Sequence, residues 1–476
     1  MNSKPTNEAQ PQSSQGQELP QTLSECHEVI TRQAVQLSQL QEQVGVLQER
    51  VKLDSTNSSK PPSSNGPGQG NRAQRRASQR KRGAQPGHKG SARAMLDEQQ
   101  VDQIIDCKPG EVCECGAAVA MVGDEAQRHQ VFDVPHVKAQ VHEYRRYAGR
   151  CTGCGKAHRG ALPAGVPSGQ IGPRALALIG TLGTHYHLTQ FKIRDLLARV
   201  LGVDFSVGAI SQAHGKVAQA LQAPVVQLGK HVAQAPVKHL DETRYPSEGG
   251  HNWAWAVITP QVAVYSLLPS RARYVAHDLI GEQPGGVVVS DRYAVYDYVD
   301  VQRRQVCWAH LLRDFNRIGQ RTGEAGRIGQ RLLGAGYVLF RWRERGKTAA
   351  QFEPLRRRIK RLLEQGCAQT QCSRTSKTCA NVLKLWPALW GFLDDKMVPP
   401  TNNEAEQALR ALVLKRKISG PTRSRRGADF IARGFSVYET CRRQGRDLWD
   451  FMHHAVIAWI DCTTAPSLLP SATPHG

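Results

Sequence analysis

At 476 residues the chain is too long for one ordinary hydrophobic core, so two or more structural units are expected. Its 63 Lys and Arg against 41 Asp and Glu give a net charge of +22 and a sequence pI near 9.7, with the cations clustered, which points to a polyanionic partner, most simply DNA. No apolar run approaches the roughly 20 residues that span a bilayer, and the polar N-terminus lacks a signal-peptide core; membrane and secretory roles are set aside for a cytoplasmic one, where twelve cysteines read as reduced thiols plus a metal site.

Residues 1–20, rich in Gln, Ser, Pro and Asn, are expected to be disordered. Over 21–54 a heptad runs through Leu23, Ile30, Leu37, Val44 and Val51 at one position and Cys26, Gln33, Leu40 and Leu47 at the other. That seam reads as a short coiled coil pairing protomers into at least a dimer, against an amphipathic helix lying on its own protein. Residues 55–95 shift to Ser, Pro, Gly and Asn and carry Arg72, Arg75, Arg76, Arg80, Lys81, Arg82 and Lys89 without an intervening acid. This is a flexible linker with a basic arm, suited to DNA phosphates.

Cys113 and Cys115, then Cys151 and Cys154, are each followed by glycine and are separated by alternating residues from Gln130 to Tyr147. Two cysteine pairs joined by a hairpin would make residues 96–165 a zinc-ribbon-like domain holding one structural Zn²⁺. The first pair is one residue short of knuckle spacing, which leaves Cys107, His129 or His158 as substitutes. Residues 166–225 read as helices: Gly172-Pro173 opens one, Phe191–Leu201 forms the next, and a turn at Gly202-Val203 precedes a third capped by Ser206. Helix, glycine turn, helix outlines a helix-turn-helix-like DNA-binding region in which Ser211, Gln212, His214 and Lys216 face either bases or water.

From Ala235 the pattern changes to strands: a run into Asp241, then Trp253–Thr259 and Val262–Leu268, a helix from Tyr274, and Val287–Val289 ending at Ser290-Asp291. Two acids near the ends of apolar strands are costly to desolvate without a cation, so Asp241 and Asp291 are candidate ligands for a divalent metal. Residues 318–396 are an Arg-rich helical insertion. Beyond it a helix opens at Asn402, and Asn402, Glu406 and Arg410 lie along one stripe while Glu404 falls nearly half a turn away; Glu406 is the better third acid. Lys415, Arg416, Lys417, Arg423, Arg425 and Arg426 follow and are expected to hold DNA phosphates. His310, beside Trp308, reads as a packing residue, and 436–476 as a closing helical segment and tail.

The segments HLDET, VVVSDRYAVYD, CWAHLLRDF, NNEAEQALR and FSVYETCRRQGRDL, with NSSKPPSSNG, GAQPGHKG and the cysteine pairs upstream, resemble the DDE transposases of the insertion sequence 66 family. The resemblance implies an α/β chain whose RNase H-like catalytic core, split over 235–317 and 397–435, carries Asp241, Asp291 and Glu406 as the ligands of two Mg²⁺. It implies cleavage at element ends, transfer of the 3′-hydroxyl to target DNA, and small accessory proteins encoded by the same element. Two other readings remain: a zinc-containing DNA-binding regulator without activity, and a nuclease of the same fold that cuts without joining.

Overall fold

A computed structural model of the chain describes residues 22–54, 57, 58, 87, 90, 93–123, 126–247, 250–369 and 371–470. The expected disorder over 1–20 and all seven arm cations, Arg72, Arg75, Arg76, Arg80, Lys81, Arg82 and Lys89, lie outside the described residues.

The apolar runs around Asp241 build one five-stranded sheet. Strands β3 (Val237–Ser247), β4 (Gly250–Ile258) and β5 (Ala263–Leu268) form an antiparallel meander, while β6 (Val287–Ser290) pairs parallel with β3 and β7 (Arg304–Val306) parallel with β6. The spatial order is β5-β4-β3-β6-β7. Helix α6 (Arg273–Ile280) makes the crossover from β5 to β6, as a parallel return requires. The period of two divides the side chains: Leu240 and Val288 join one buried cluster, Val237 and Val289 another.

The first cluster joins the sheet to α2 (Pro173–Thr184), α3 (Gln190–Leu201), α4 (Val207–Ala220) and α5 (Gln222–Gln234). It also takes in α12 (Asn403–Ser419), α13 (Arg425–Gln444) and α14 (Leu448–Ile460). Two expectations are corrected here. The helices over 166–225 share the core of the sheet instead of standing as a separate DNA-binding unit, and α13 runs straight through the expected boundary at 435. The turn itself is as expected, with Ser206 capping α4 and Gly202 left-handed at φ +68°. Of the four positions expected to face outward, His214 is buried and stacks on Phe430 with ring centroids 3.9 Å apart, while Gln212 is exposed and Ser211 and Lys216 are half-buried. Small residues let α4 sit between neighbours; Gly215 lies so close to Arg426 that a Cβ would fall 2.4 Å from its Cδ.

The second cluster gathers α8 (Gly323–Glu344), α9 (Ala349–Cys367), α10 (Ser373–Lys384) and the short α11 (Gly391–Asp394), all within the expected insertion over 318–396, together with α7 (Trp308–Gly319), which begins ten residues before it, packed on the Val237, Val289 and Val306 side of the sheet.

The N-terminal helix α1 (Leu23–Val51) opens with a capping box at Thr22 and Glu25 and buries none of its residues. Its seam residues Leu37, Leu40, Val44 and Leu47 are all exposed. The end of α1 touches the insertion, where Glu49 pairs with Arg321 and Arg374, each at 2.8 Å. The cysteine segment departs from expectation. Residues 130–147 form no hairpin; the only pairing strands between 96 and 165, among the described residues, are β1 (Ala148–Arg150) and β2 (Ala157–Arg159), which flank the second cysteine pair. Its large apolar side chains, Val131, Val134, Val141 and Tyr147 among them, are exposed, so no core gathers the segment.

Candidate active site

The sheet register sets the geometry of the two aspartates. β3 and β6 pair in parallel from Val237 opposite Val287 to His239 opposite Val289; Asp241 lies two residues further along β3, and Asp291 directly follows the last residue of β6. Glu242 points through the sheet instead, where Tyr296 and Arg271 donate hydrogen bonds to its buried carboxylate. Asp241 is half-buried, and its carboxyl is held well above the ordinary range by burial first and then by the charges of Glu242, Asp291 and Glu406. The charges of those three acids therefore reach Asp241, although Glu242 is paired with Arg271 and Glu406 with Arg313. Asp291 is fixed by its own turn: its Oδ1 accepts the Tyr293 N–H (2.9 Å), while the buried Arg304 guanidinium donates to its carbonyl (2.9 Å).

Glu406 arrives from α12, and one residue locks that helix in place. Asn402 is fully buried at the helix start; its Nδ2 donates to the Leu240 carbonyl (2.7 Å), its Oδ1 accepts from His239 Nδ1 (3.0 Å), and its backbone N–H donates to Cys307 Sγ (3.1 Å). Asn402 thus ties the first turn of α12 to the strand carrying Asp241 and to the start of α7. One turn on, Glu406 faces α7: Arg313 Nη2 lies 3.3 and 3.2 Å from its two oxygens, and His310 Nδ1 lies 3.4 Å from Oε1. His310 is a neutral-favouring imidazole, its pKa lowered by burial and then by Arg313. Cys307, His310 and Glu406 form a group whose ligand atoms all lie within 4.8 Å of one another. Among the described residues, Asp241, Asp291 and Glu406 do not converge that closely; a pair of ions about 3.5–4 Å apart needs a wider set.

Glu404 turns away from this group, as the stripe requires, but it is not simply solvated: it pairs with the largely buried Arg443 at 3.0 Å, which also holds Glu439 at 2.9 Å. The basic stretch behind Glu406 splits. Lys415 is buried, donates to the Leu188 carbonyl (2.8 Å), and has its pKa pushed down to about 8 by burial, so it is removed from the surface that would meet phosphates. Arg416 donates to the Arg244 carbonyl, Lys417 and Arg423 are exposed, Arg425 pairs with Asp429 (3.4 Å), and Arg426 donates to Ser211 Oγ (3.0 Å).

The two cysteine pairs are built alike. Gly116 and Gly155, both at positive φ, close tight turns in which Gly116 N–H donates to the Cys113 carbonyl and Gly155 N–H to the Cys151 carbonyl. Within each turn the partner's N–H favours the thiolate: Cys115 lowers the pKa of Cys113, and Cys154 that of Cys151. Among the described residues no three of Cys113, Cys115, Cys151 and Cys154 have ligand atoms within 4.8 Å of one another.

Sequence reasoning put Asn402 on the stripe of Glu406 but missed its link to β3, set His310 aside as a packing residue, and missed Arg313. The spacing Cys307-x-x-His310-x-x-Arg313 was the signal: at the start of a helix, steps of three keep all three on one face.

No helix among the described residues is long and apolar enough to cross a membrane. Residues 168–430 match the model of the Transposase IS66 family, a segment that contains Asp241, Asp291 and Glu406, and residues 4–94 match a family of unknown function, DUF6444. A relative from Sinorhizobium fredii (strain NBRC 101917 / NGR234), the uncharacterized protein y4hP, is 24% identical over 399 residues, covering 73% of this chain and 70% of its own. With more than half of its length matched by that first model, the chain belongs to the IS66 family of transposases.

Proposed function

We propose that this transposase cuts DNA at the ends of its element and joins the freed 3′-hydroxyl to target DNA, using an RNase H-like core in which Asp241, Asp291 and Glu406 hold two Mg²⁺. The observation that carries the reading is the parallel pairing of β3 with β6, which brings the strand holding Asp241 beside the one that leads into Asp291. The strand order, an antiparallel meander followed by two parallel strands, supports the fold. Hard carboxylate oxygens suit Mg²⁺, and burial, with the charges of Glu242, Asp291 and Glu406, holds the Asp241 carboxyl above its ordinary range. When bound, such a metal pair supplies the charge that the attacking and leaving oxygens of a phosphodiester require.

The chain's own residues set up that chemistry. Asn402 fixes the approach of α12 to β3, so that Glu406 is presented to the side of the sheet carrying both aspartates. Arg313 holds the Glu406 carboxylate until a metal competes for it. Arg416, Lys417, Arg423, Arg425 and Arg426 follow Glu406 and grip the DNA backbone, together with the arm from Arg72 to Lys89, while the α1 seam pairs two copies so that two DNA ends are held at once. One Zn²⁺ drawn between the cysteine turns would order the segment between arm and core.

Labelled element-end DNA, Mg²⁺ and a target plasmid test the reading together. A joined product is the expected result. Cutting without joining would support the nuclease reading, and binding alone the regulator.

A further inference from the structure

We propose that Cys307, His310 and Glu406 form a separate site for zinc or another soft divalent cation, and that filling it withdraws Glu406 from the two aspartates. Their ligand atoms lie within 4.8 Å of one another. His310 Nδ1 is buried, has no hydrogen-bond partner, and points at Glu406 Oε1 from 3.4 Å. An unpaired buried imidazole nitrogen is costly, and a metal would satisfy it. Cys307 occupies the position before the first residue of α7, and His310 stands three residues later, so both ligands project from one helix start toward a carboxylate on the facing helix.

The donor set determines the ion. One sulfur, one imidazole nitrogen and one carboxylate oxygen suit zinc and leave a fourth position to solvent, whereas Mg²⁺ prefers an all-oxygen shell. The Cys307 thiol gives up its proton as the metal–sulfur bond forms, so one proton is released for each ion bound, with no change of oxidation state. Arg313 is the competitor, because its guanidinium holds both oxygens of Glu406 and must swing away. The site is therefore poised between an internal cation and an external one. Inhibition of cleavage by zinc rests on the role proposed for Glu406; the binding itself does not.

The test titrates the full chain with Co²⁺ in the absence of DNA, following the thiolate-to-cobalt charge-transfer band. To remove the other paired thiols, Cys113, Cys115, Cys151 and Cys154 are replaced by serine together. That background should still show a thiolate-bound cobalt, and adding Cys307→Ser should remove the band. Arg313→Gln in the same background should tighten binding at least tenfold, since a charge-assisted hydrogen bond of about 1.5–3 kcal/mol no longer competes. Absence of the band in the four-serine background, or a band unchanged by Cys307→Ser, overturns the site. Should Cys307→Ser fail to fold, an unchanged affinity in Arg313→Gln overturns it equally. Cleavage assays then separate the two claims: zinc should inhibit Mg²⁺-supported cutting by the parent chain, while a parent that binds cobalt yet never cuts contradicts the proposed function and leaves this site standing.

Discussion

The sheet with its helices and the cysteine segment before it are opposite solutions within one chain. In the first, burial fixes everything: Asp241 stands where it does because Val237, Leu240, Val288 and Val289 pack, and Glu406 because Ala405, Ala408, Leu409 and Leu412 do. In the second, the two short strands β1 and β2 are exposed throughout, and the cysteine turns are held by local backbone hydrogen bonds alone. The proposed active site, whose carboxylates would need fixed positions, lies in the region with a core. A segment that would take its form from metal or DNA has no need of one.

The largest expected effect probes the cored region's chemistry without touching its packing. Asp241→Asn and Asp291→Asn keep shape and remove charge, and each should cut strand cleavage by more than about 100-fold while leaving thermal unfolding nearly unchanged. Loss of folding in step with activity would mean that the acids are structural.

Next comes a test of how deeply the core reaches into the basic stretch. Lys415 and Lys238 are both buried, each with its pKa lowered from 10.5 to about 8, so the folded chain binds fewer protons than the unfolded chain between those values. Stability should therefore rise as pH goes from about 8 toward 10.5, and the cost of burying each charge is fully felt below pH 8. Lys415→Met should remove its share of that rise, up to about 3 kcal/mol, and leave DNA affinity intact. A parent chain with flat stability over this range, or a variant with weakened DNA binding, would return Lys415 to the surface.

Asn402→Ala should cost roughly 1–2 kcal/mol, because it strands the Leu240 carbonyl and His239 Nδ1 in a buried site, and it should slow cleavage by loosening α12 against β3. The smallest effect belongs to the other region. Chelation should leave the unfolding temperature of the core unmoved while making residues 96–165 more open to proteolysis; a chelator that shifted the core transition instead would break the contrast between the two.

What the sequence showed follows the same division. The strand leading into Asp291 was legible because a short apolar run bounded by Gly and Ser has few alternatives, whereas the run expected to stop at Asp241 continues as β3 to Ser247; the helix carrying Glu406 was legible because a helix repeats every 3.6 residues. Lys415 was misread as one of three neighbouring cations, although it continues the buried stripe Ala405, Ala408, Leu412; helical phase outweighed charge. His214 was misread for the converse reason, as a polar residue on a helix whose small neighbours let three other elements close over it. The contacts of Asn402 with Leu240 and His239 span more than 160 positions and leave no local trace. In the cysteine segment, alternation from Gln130 to Tyr147 suggested strands, but alternation predicts a strand only where a partner or a core receives one face.

Two glutamates two residues apart on α12 give the most direct test of the central claim. Glu406 faces Arg313 and His310 toward the aspartates, while Glu404 faces Arg443 on another side of the helix. Strand cleavage measured for Glu406→Gln and Glu404→Gln, at matched folding and DNA binding, should be abolished in the first and largely retained in the second, whose lost partly exposed ion pair costs no more than about 1 kcal/mol of stability. An active Glu406→Gln beside an inactive Glu404→Gln would contradict the site.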